Sequence, residues 1–267
     1  MTQDLQSRVD REKNAHTEDD VLGNSYKIKA FFSHTLSSTT IRRMHSDYFD
    51  RLDDVRGLSI LDIGCGHGKL SLRLLGKGAG HVAGIDISDR YVSEAAEGAR
   101  ALGYSLDRFE FKVMDAHRLS FSDDQFDIVV GNGILHHLDL PVCMREIGRV
   151  LKPGGYALFI EPLAGNPMLK LFRVLTPRAR TPDEKPLCAS DLEGLAQIWD
   201  VESRYYGILS APIAAVTSIV LRPFPNNPLL AAADRIERWL GRFKALNPYN
   251  QYVMLVLIKR PQVASGA

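Results

Sequence analysis

Five short apolar runs recur along the first two thirds of the chain, at 58–63, 81–87, 108–114, 126–131 and 155–161, each flanked by glycine, polar or charged residues. Their length and their content of Ile, Val, Leu and Phe predict buried strands. Between them the apolar residues fall three and four apart, which predicts helices over 67–76, 89–102 and 139–151, with Gly103 and Pro153-Gly154-Gly155 as stop signals. Strand and helix in alternation mean a parallel sheet with helices on both faces. Right-handed crossovers then bring the loops that follow the strands to one edge, where ligands of such sheets bind. Farther along, Asp200 to Tyr206 and Gln251 to Lys259 (QYVMLVLIK) predict a sixth and a seventh strand.

The flanking segments read differently. Before the first strand, Ile28 and Phe31, Ile41 and Met44, and Met44 and Tyr48 are spaced for short amphipathic helices, so 1–56 is expected to form a helical cap. The core is expected over 57–161, insertions over 162–247 around the sixth strand, the last strand within 248–260 and a tail at 261–267. In the second insertion, ILSAPIAAVTSIVL at 208–221 carries no charge over 14 residues, which is too short to span a bilayer. A buried cap helix is the preferred expectation, with a lipid-facing or dimer-forming surface as the alternatives. A helix over 228–245 places Leu229, Ala233, Ile236, Leu240 and Phe243 on one stripe.

Composition narrows the classes. The 267 residues are enough for one decorated domain, preferred here over a domain plus a cap. Lys and Arg number 33 against 32 Asp and Glu, so no basic field points to nucleic acid, and a small, uncharged partner is expected. The polar N-terminus has no apolar signal region, which leads to the expectation of a cytoplasmic protein. Cys65, Cys143 and Cys188 are widely spaced and odd in number, which argues against a disulfide framework or a zinc knuckle. No histidine pair has ligand spacing, so no metal is expected.

The chemistry is concentrated in LSILDIGCGHGK, 58–69, a strand that runs into a turn with Gly64, Gly66 and Gly68 and then into a helix. Each glycine removes a Cβ where the backbone bends sharply or lies against a ligand. Asp86, at the end of the second strand, stands 20 residues after Gly66, a distance suited to the hydroxyls of a ribose.

These segments, together with MDAHRLSF at 114–121, FDIVVGNGILHHL at 126–138 and EIGRVLKPGGYALFIEP at 146–162, resemble the class I S-adenosylmethionine-dependent methyltransferases, small-molecule branch. The likeness covers about 105 residues, Leu58 to Pro162, in the family's order. It implies a Rossmann-like doubly wound α/β sheet of seven strands in the order 3-2-1-4-5-7-6, strand 7 antiparallel, and S-adenosyl-L-methionine as cofactor. It further implies that Asp62, Gly64, Cys65, Gly66 and Gly68 surround the amino-acid end of the cofactor. Asp86 and Ile87 would meet the ribose, Asp115 and Ala116 the adenine, and Asn132 and Gly133 the region beneath the sulfonium.

His137 and Glu161 are the candidate acceptor-side catalytic groups, and Tyr26, Phe31, His136 and Arg173 the candidate substrate contacts. A structural role stays open for each histidine, as does a salt bridge between Glu161 and Arg173. The fourth strand ends in Asn132-Gly133-Ile134-Leu135, without the [DNS]-P-P-[FYW] element of nucleobase and glutamine methylases. A small, hydrophobic acceptor, methylated on oxygen, nitrogen or carbon, is therefore expected, with lipid contact and oligomeric state left open. Two rivals remain at this point: a nicotinamide-dependent oxidoreductase and a non-catalytic cofactor-binding partner subunit.

Overall fold

The structure, a computed structural model, describes residues 7, 11, 13, 32–175, 184–225 and 227–260. Its strands are β1 (Ser59–Ile63), β2 (His81–Asp86), β3 (Phe109–Val113), β4 (Phe126–Asn132), β5 (Leu151–Pro162), β6 (Asp200–Tyr206) and β7 (Tyr252–Ile258). They form one sheet in the order β3-β2-β1-β4-β5-β7-β6 with β7 antiparallel, as expected. β1 is central: Ile60 pairs with Val82 on one side and Ile128 on the other. Ile60, Leu61 and Ile63 are fully buried. A parallel strand covered on both faces needs apolar side chains at successive positions, which is why this stretch reads as an unbroken run.

The helices are α1 (His34–Ser37), α2 (Thr39–Asp50), α3 (Lys69–Gly76), α4 (Asp89–Ala101), α5 (Leu140–Val150), α6 (Pro167–Leu175), α7 (Ala189–Ile198), α8 (Ser210–Val220) and α9 (Pro228–Leu240). Local chemistry fixes several starts. Ser88 accepts the Tyr91 N–H, Asp139 the Val142 N–H and Asn227 the Leu230 N–H, satisfying donors that the first turn leaves over. β5 begins at Leu151 rather than near 155, because Leu151 pairs with Phe126 before the register shifts and Tyr156 pairs with Ile128. The helix expected over 228–245 stops at Leu240, and Lys244–Tyr249 forms a 3-10 turn containing Pro248. Among the described residues no helix is long and apolar enough to cross a membrane.

The chain divides into two compact units. One comprises Leu52–Ile160, Ser190–Ser203 and the chain from Leu255 onward, and includes β1 to β4 with α3, α4 and α5. The other comprises the described residues of the chain up to Arg51, of Glu161–Ala189 and of Arg204–Met254, and includes α1, α2, α8 and α9.

In the helical unit, polar groups sit where the apolar stripe of 228–245 was expected to pack. Leu230 and Ala233 are buried, but so are Asp234 and Glu237, whereas Leu229, Ile236 and Phe243 face outward. The reason is the start of α8. Glu237 accepts the N–H groups of Leu209 and Ser210, both at 2.6 Å, the Ser210 hydroxyl at 3.2 Å and the Thr40 hydroxyl at 2.9 Å. Asp234 accepts Arg43 Nε at 2.9 Å. The buried-helix expectation for 208–221 describes one face of α8 only: Ala211, Ala214, Thr217 and Ser218 are buried, while Val216, Ile219 and Val220 are exposed.

Removing the carboxylate strands several buried donors at once. Glu237→Ala is expected to lower the unfolding free energy by about 2–4 kcal/mol in urea titrations. A change within about 0.5 kcal/mol would contradict the capping role.

Candidate active site

The candidate site is built on the edge where β1 to β4 end. After Ile63 the chain enters the glycine turn with φ of +67° at Gly64, +50° at Gly66 and +74° at Gly68, the left-handed region that favours glycine. The glycines differ in what surrounds them. A Cβ on Gly64 would lie 2.7 Å from the Ile134 side chain, and one on Gly68 2.7 Å from the Ala95 Cβ. A Cβ on Gly66 would meet nothing within 4 Å. Gly64 and Gly68 are thus needed for packing, and Gly66 faces open space in which a ligand can approach main chain. Cys65 extends the sheet through its N–H to the Ile85 carbonyl at 2.9 Å. Burial pushes the Cys65 thiol up, and Asp62 and Asp86 push it further, so it stays protonated.

Asp86 ties the turn to β2. Its Oδ2 accepts the Gly66 N–H at 3.0 Å and its Oδ1 the Ser88 N–H at 2.9 Å. Each oxygen keeps a lone pair, so the carboxylate can still accept from a diol. Asp62, one residue inside β1 and 2% exposed, accepts the Ser71 hydroxyl at 2.6 Å. Burial raises its pKa from the ordinary 3.8 to about 7, with the Asp86 charge adding and the Ser71 bonds opposing.

Asp115 follows β3 and is arranged differently. Its Oδ1 accepts both the His117 main-chain N–H at 2.9 Å and the His117 Nδ1 proton at 2.6 Å. His117 Nε2 accepts the Asp139 N–H at 2.8 Å, which fixes the ring as the Nδ1–H tautomer. Burial opposes ionisation of Asp115, but the His117 side-chain and main-chain bonds outweigh it and hold the carboxyl below the usual range. Oδ2 of Asp115 is buried and has no hydrogen-bond partner among the described residues. A buried acceptor left over in this way fits an amine donor from a ligand. His117 had no role in the sequence reading; the two-residue spacing Asp115–His117 of an Asx turn was its only local signal.

β4 ends at Asn132, which is exposed and pairs with Ile160. Gly133 donates its N–H to the Ile160 carbonyl at 2.8 Å. A Cβ on Gly131 would lie 2.7 Å from both Ile134 and Phe159, so Ile134 packs over the tips of β1 and β4 together. His136 and His137 close a 3-10 turn, Leu135–His137. Their ring centroids lie 4.1 Å apart at 41°.

The sheet therefore brings Asp62, Gly64, Cys65, Gly66, Gly68, Asp86, Asp115, Asn132 and Gly133 to one edge, with Ile87 and Ala116 in the adjoining loops. Glu161 lies near the end of β5 and is fully buried. Arg173 is on α6. Tyr26 and Phe31 lie outside the described residues.

A family model described as a methyltransferase domain matches residues 54–198. The chain is 37% identical over 114 residues to the methyltransferase GfsG of Streptomyces halstedii, 42% of this chain and 41% of that one. It is 34% identical over 123 residues to a 2-phytyl-1,4-naphtoquinone methyltransferase of Nostoc punctiforme, 45% of this chain and 53% of that one. The matched region thus spans about half or less of each relative. Among solved structures, the [4+2]-cyclase SpnF superimposes with a TM-score of 0.55 at 24% identity, covering 81% of this chain and 80% of that one.

The raised pKa of Asp62 has a measurable result. The fold favours its protonated form, and that stabilisation is complete below about 3.8 and lost as pH rises through about 7. In Asp62→Asn the loss is absent. The variant's melting temperature should therefore gain on the wild type steadily between pH 4 and pH 8, as read by differential scanning calorimetry (roughly the window set by the two values). A difference that does not change with pH would contradict the buried character of this carboxyl group and its raised pKa.

Proposed function

The chain belongs to the methyltransferase-domain family, whose model matches more than half of it, and on that premise we propose that it transfers the methyl group of S-adenosylmethionine to a small, hydrophobic acceptor. The observation that carries the cofactor reading is the unsatisfied Oδ2 of Asp115, on the same sheet edge as a glycine turn with open space at Gly66. The fold is shared with a protein named as a cyclase, so the fold by itself does not select methyl transfer. A hydrophobic acceptor is supported by the apolar, phytyl-bearing quinone in the name of one relative.

Bound S-adenosylmethionine supplies a methyl group on a positively charged sulfur that leaves as a neutral thioether. The chain's own residues then have modest tasks. Asp115 Oδ2 accepts from the adenine amine, Asp86 accepts from the ribose hydroxyls, and Asp62 in its ionised form pairs with the ammonium. Gly64 to Gly68, with Ile87 and Ala116, shape the wall. Asn132 and Gly133 keep the end of β4 low enough for close approach, and closeness with alignment supplies much of the rate. His137 receives the acceptor proton where the acceptor needs to lose one, and Glu161 orients its hydroxyl or amine. His136 and Arg173, with Tyr26 and Phe31, are assigned to acceptor binding.

Asp115→Asn separates these roles cleanly. His117 Nδ1–H requires an acceptor, so the amide oxygen stays on His117 and the new NH2 takes the place of Oδ2. Calorimetry with S-adenosylhomocysteine should show affinity reduced roughly tenfold to a hundredfold, from about 1–3 kcal/mol of lost and opposed hydrogen bonding. Unchanged affinity in the folded variant would remove Asp115 from the cofactor site. For His137→Ala the expected result is a kcat lowered by roughly 10²–10⁴ with S-adenosylhomocysteine affinity retained. An unaltered pH–rate profile would reduce His137 to a packing residue.

A further inference from the structure

The helical unit carries an apolar face that its own core leaves uncovered. Leu209, Pro212, Ile213, Val216, Leu229 and Ile236 line a groove of about 440 Å³ along α8 and α9. After α8 and at the end of α9, Phe224, Trp239 and Phe243 are 64%, 54% and 48% exposed, and the Trp239 and Phe243 rings meet edge to face at 5.3 Å. So many large apolar side chains on neighbouring surface mark an interaction site.

The charges around this face select its partner. From Gly207 to Asn250 the acids are Asp234 and Glu237 alone, against the cations Arg222, Arg235, Arg238, Arg242 and Lys244. Both acids are turned inward, 4% and 6% exposed, where Arg43, Thr40 and Arg238 engage Asp234 and the start of α8 engages Glu237. All five cations are exposed. The outward charge of this segment is therefore of one sign. A second copy of the chain, meeting the same face about a two-fold axis, would set cations against cations. An anionic lipid surface meets both features: acyl chains and the interfacial zone receive the aliphatic side chains, Trp and Phe, and head groups receive Arg and Lys.

We propose that the α8–α9 face docks on an anionic lipid bilayer, with the two helices lying at the head-group boundary. The cations bring the protein to the surface, and Val216, Ile219, Phe224, Ile236, Trp239 and Phe243 enter it. This docking is independent of which molecule accepts the methyl group, and its readout does not involve turnover.

The test is co-sedimentation of the full chain with vesicles of phosphatidylcholine alone and of phosphatidylcholine with roughly one quarter phosphatidylglycerol. The expected result is binding to the anionic vesicles, much weaker binding to neutral ones, and release as salt is raised from about 0.1 M toward 1 M. Arg235→Glu combined with Arg242→Glu should weaken partitioning at least roughly tenfold. Trp239→Ser should weaken it independently. These side chains are exposed, so melting temperature and S-adenosylhomocysteine affinity should be unchanged; if the double variant melts early, Trp239→Ser decides. The proposal is overturned if the wild type ignores anionic vesicles, if it binds neutral ones equally, or if the intact variants bind as the wild type does. It is also overturned if the same substitutions abolish a dimer seen by sedimentation velocity, which would identify the occupant as a second copy.

Discussion

At the ends of β1 and β2 one carboxylate, Asp86, accepts main-chain N–H groups from Gly66 and from Ser88. The first bond holds the glycine turn against the neighbouring strand, and the second sets the start of α4. Charge-assisted bonds of this kind contribute about 1.5–3 kcal/mol each. Gly66 can therefore lie open to solvent without the turn losing its shape. The candidate site depends on this constraint, because every other polar group on the edge is placed by strands that pair in register with β1 and β2.

The same edge holds three aspartates in three environments. Asp62 is enclosed and driven toward its neutral form, with one hydroxyl as a partner. Asp86 is engaged on both oxygens by main chain. Asp115 is held ionised by His117 and keeps one oxygen unused. A ligand carrying an ammonium, a diol and an aromatic amine would compensate each in turn. The helical unit uses its acids in the opposite way: Asp234 and Glu237 are consumed by internal bonding, which leaves the outward charge of α8 and α9 entirely cationic.

Much of the sheet was legible in the sequence because parallel strands covered on both faces must be apolar throughout. The glycine turn and Asp86 were legible because their chemistry is local. What could not be read depends on partners distant in the chain. Leu151 belongs to β5 only because Phe126 pairs with it. His117 matters through Asp139, 22 residues on. Asp234 and Glu237 look like surface charges of an amphipathic helix until Thr40 and Arg43, nearly two hundred residues earlier, are placed against them. Of the acceptor-side expectations, Tyr26 and Phe31 lie outside the described residues.

The proposed activity is methyl transfer from S-adenosylmethionine to a hydrophobic molecule. The most direct measurement incubates the purified chain with methyl-labelled S-adenosylmethionine and a panel of quinols and other apolar hydroxyl, amine and activated-carbon compounds, then follows label into the organic phase. The expected result is label in an apolar product with an equal amount of S-adenosylhomocysteine formed. Tight binding of S-adenosylhomocysteine with no label transferred to any apolar compound, and transfer instead to a polar or macromolecular acceptor, would contradict it.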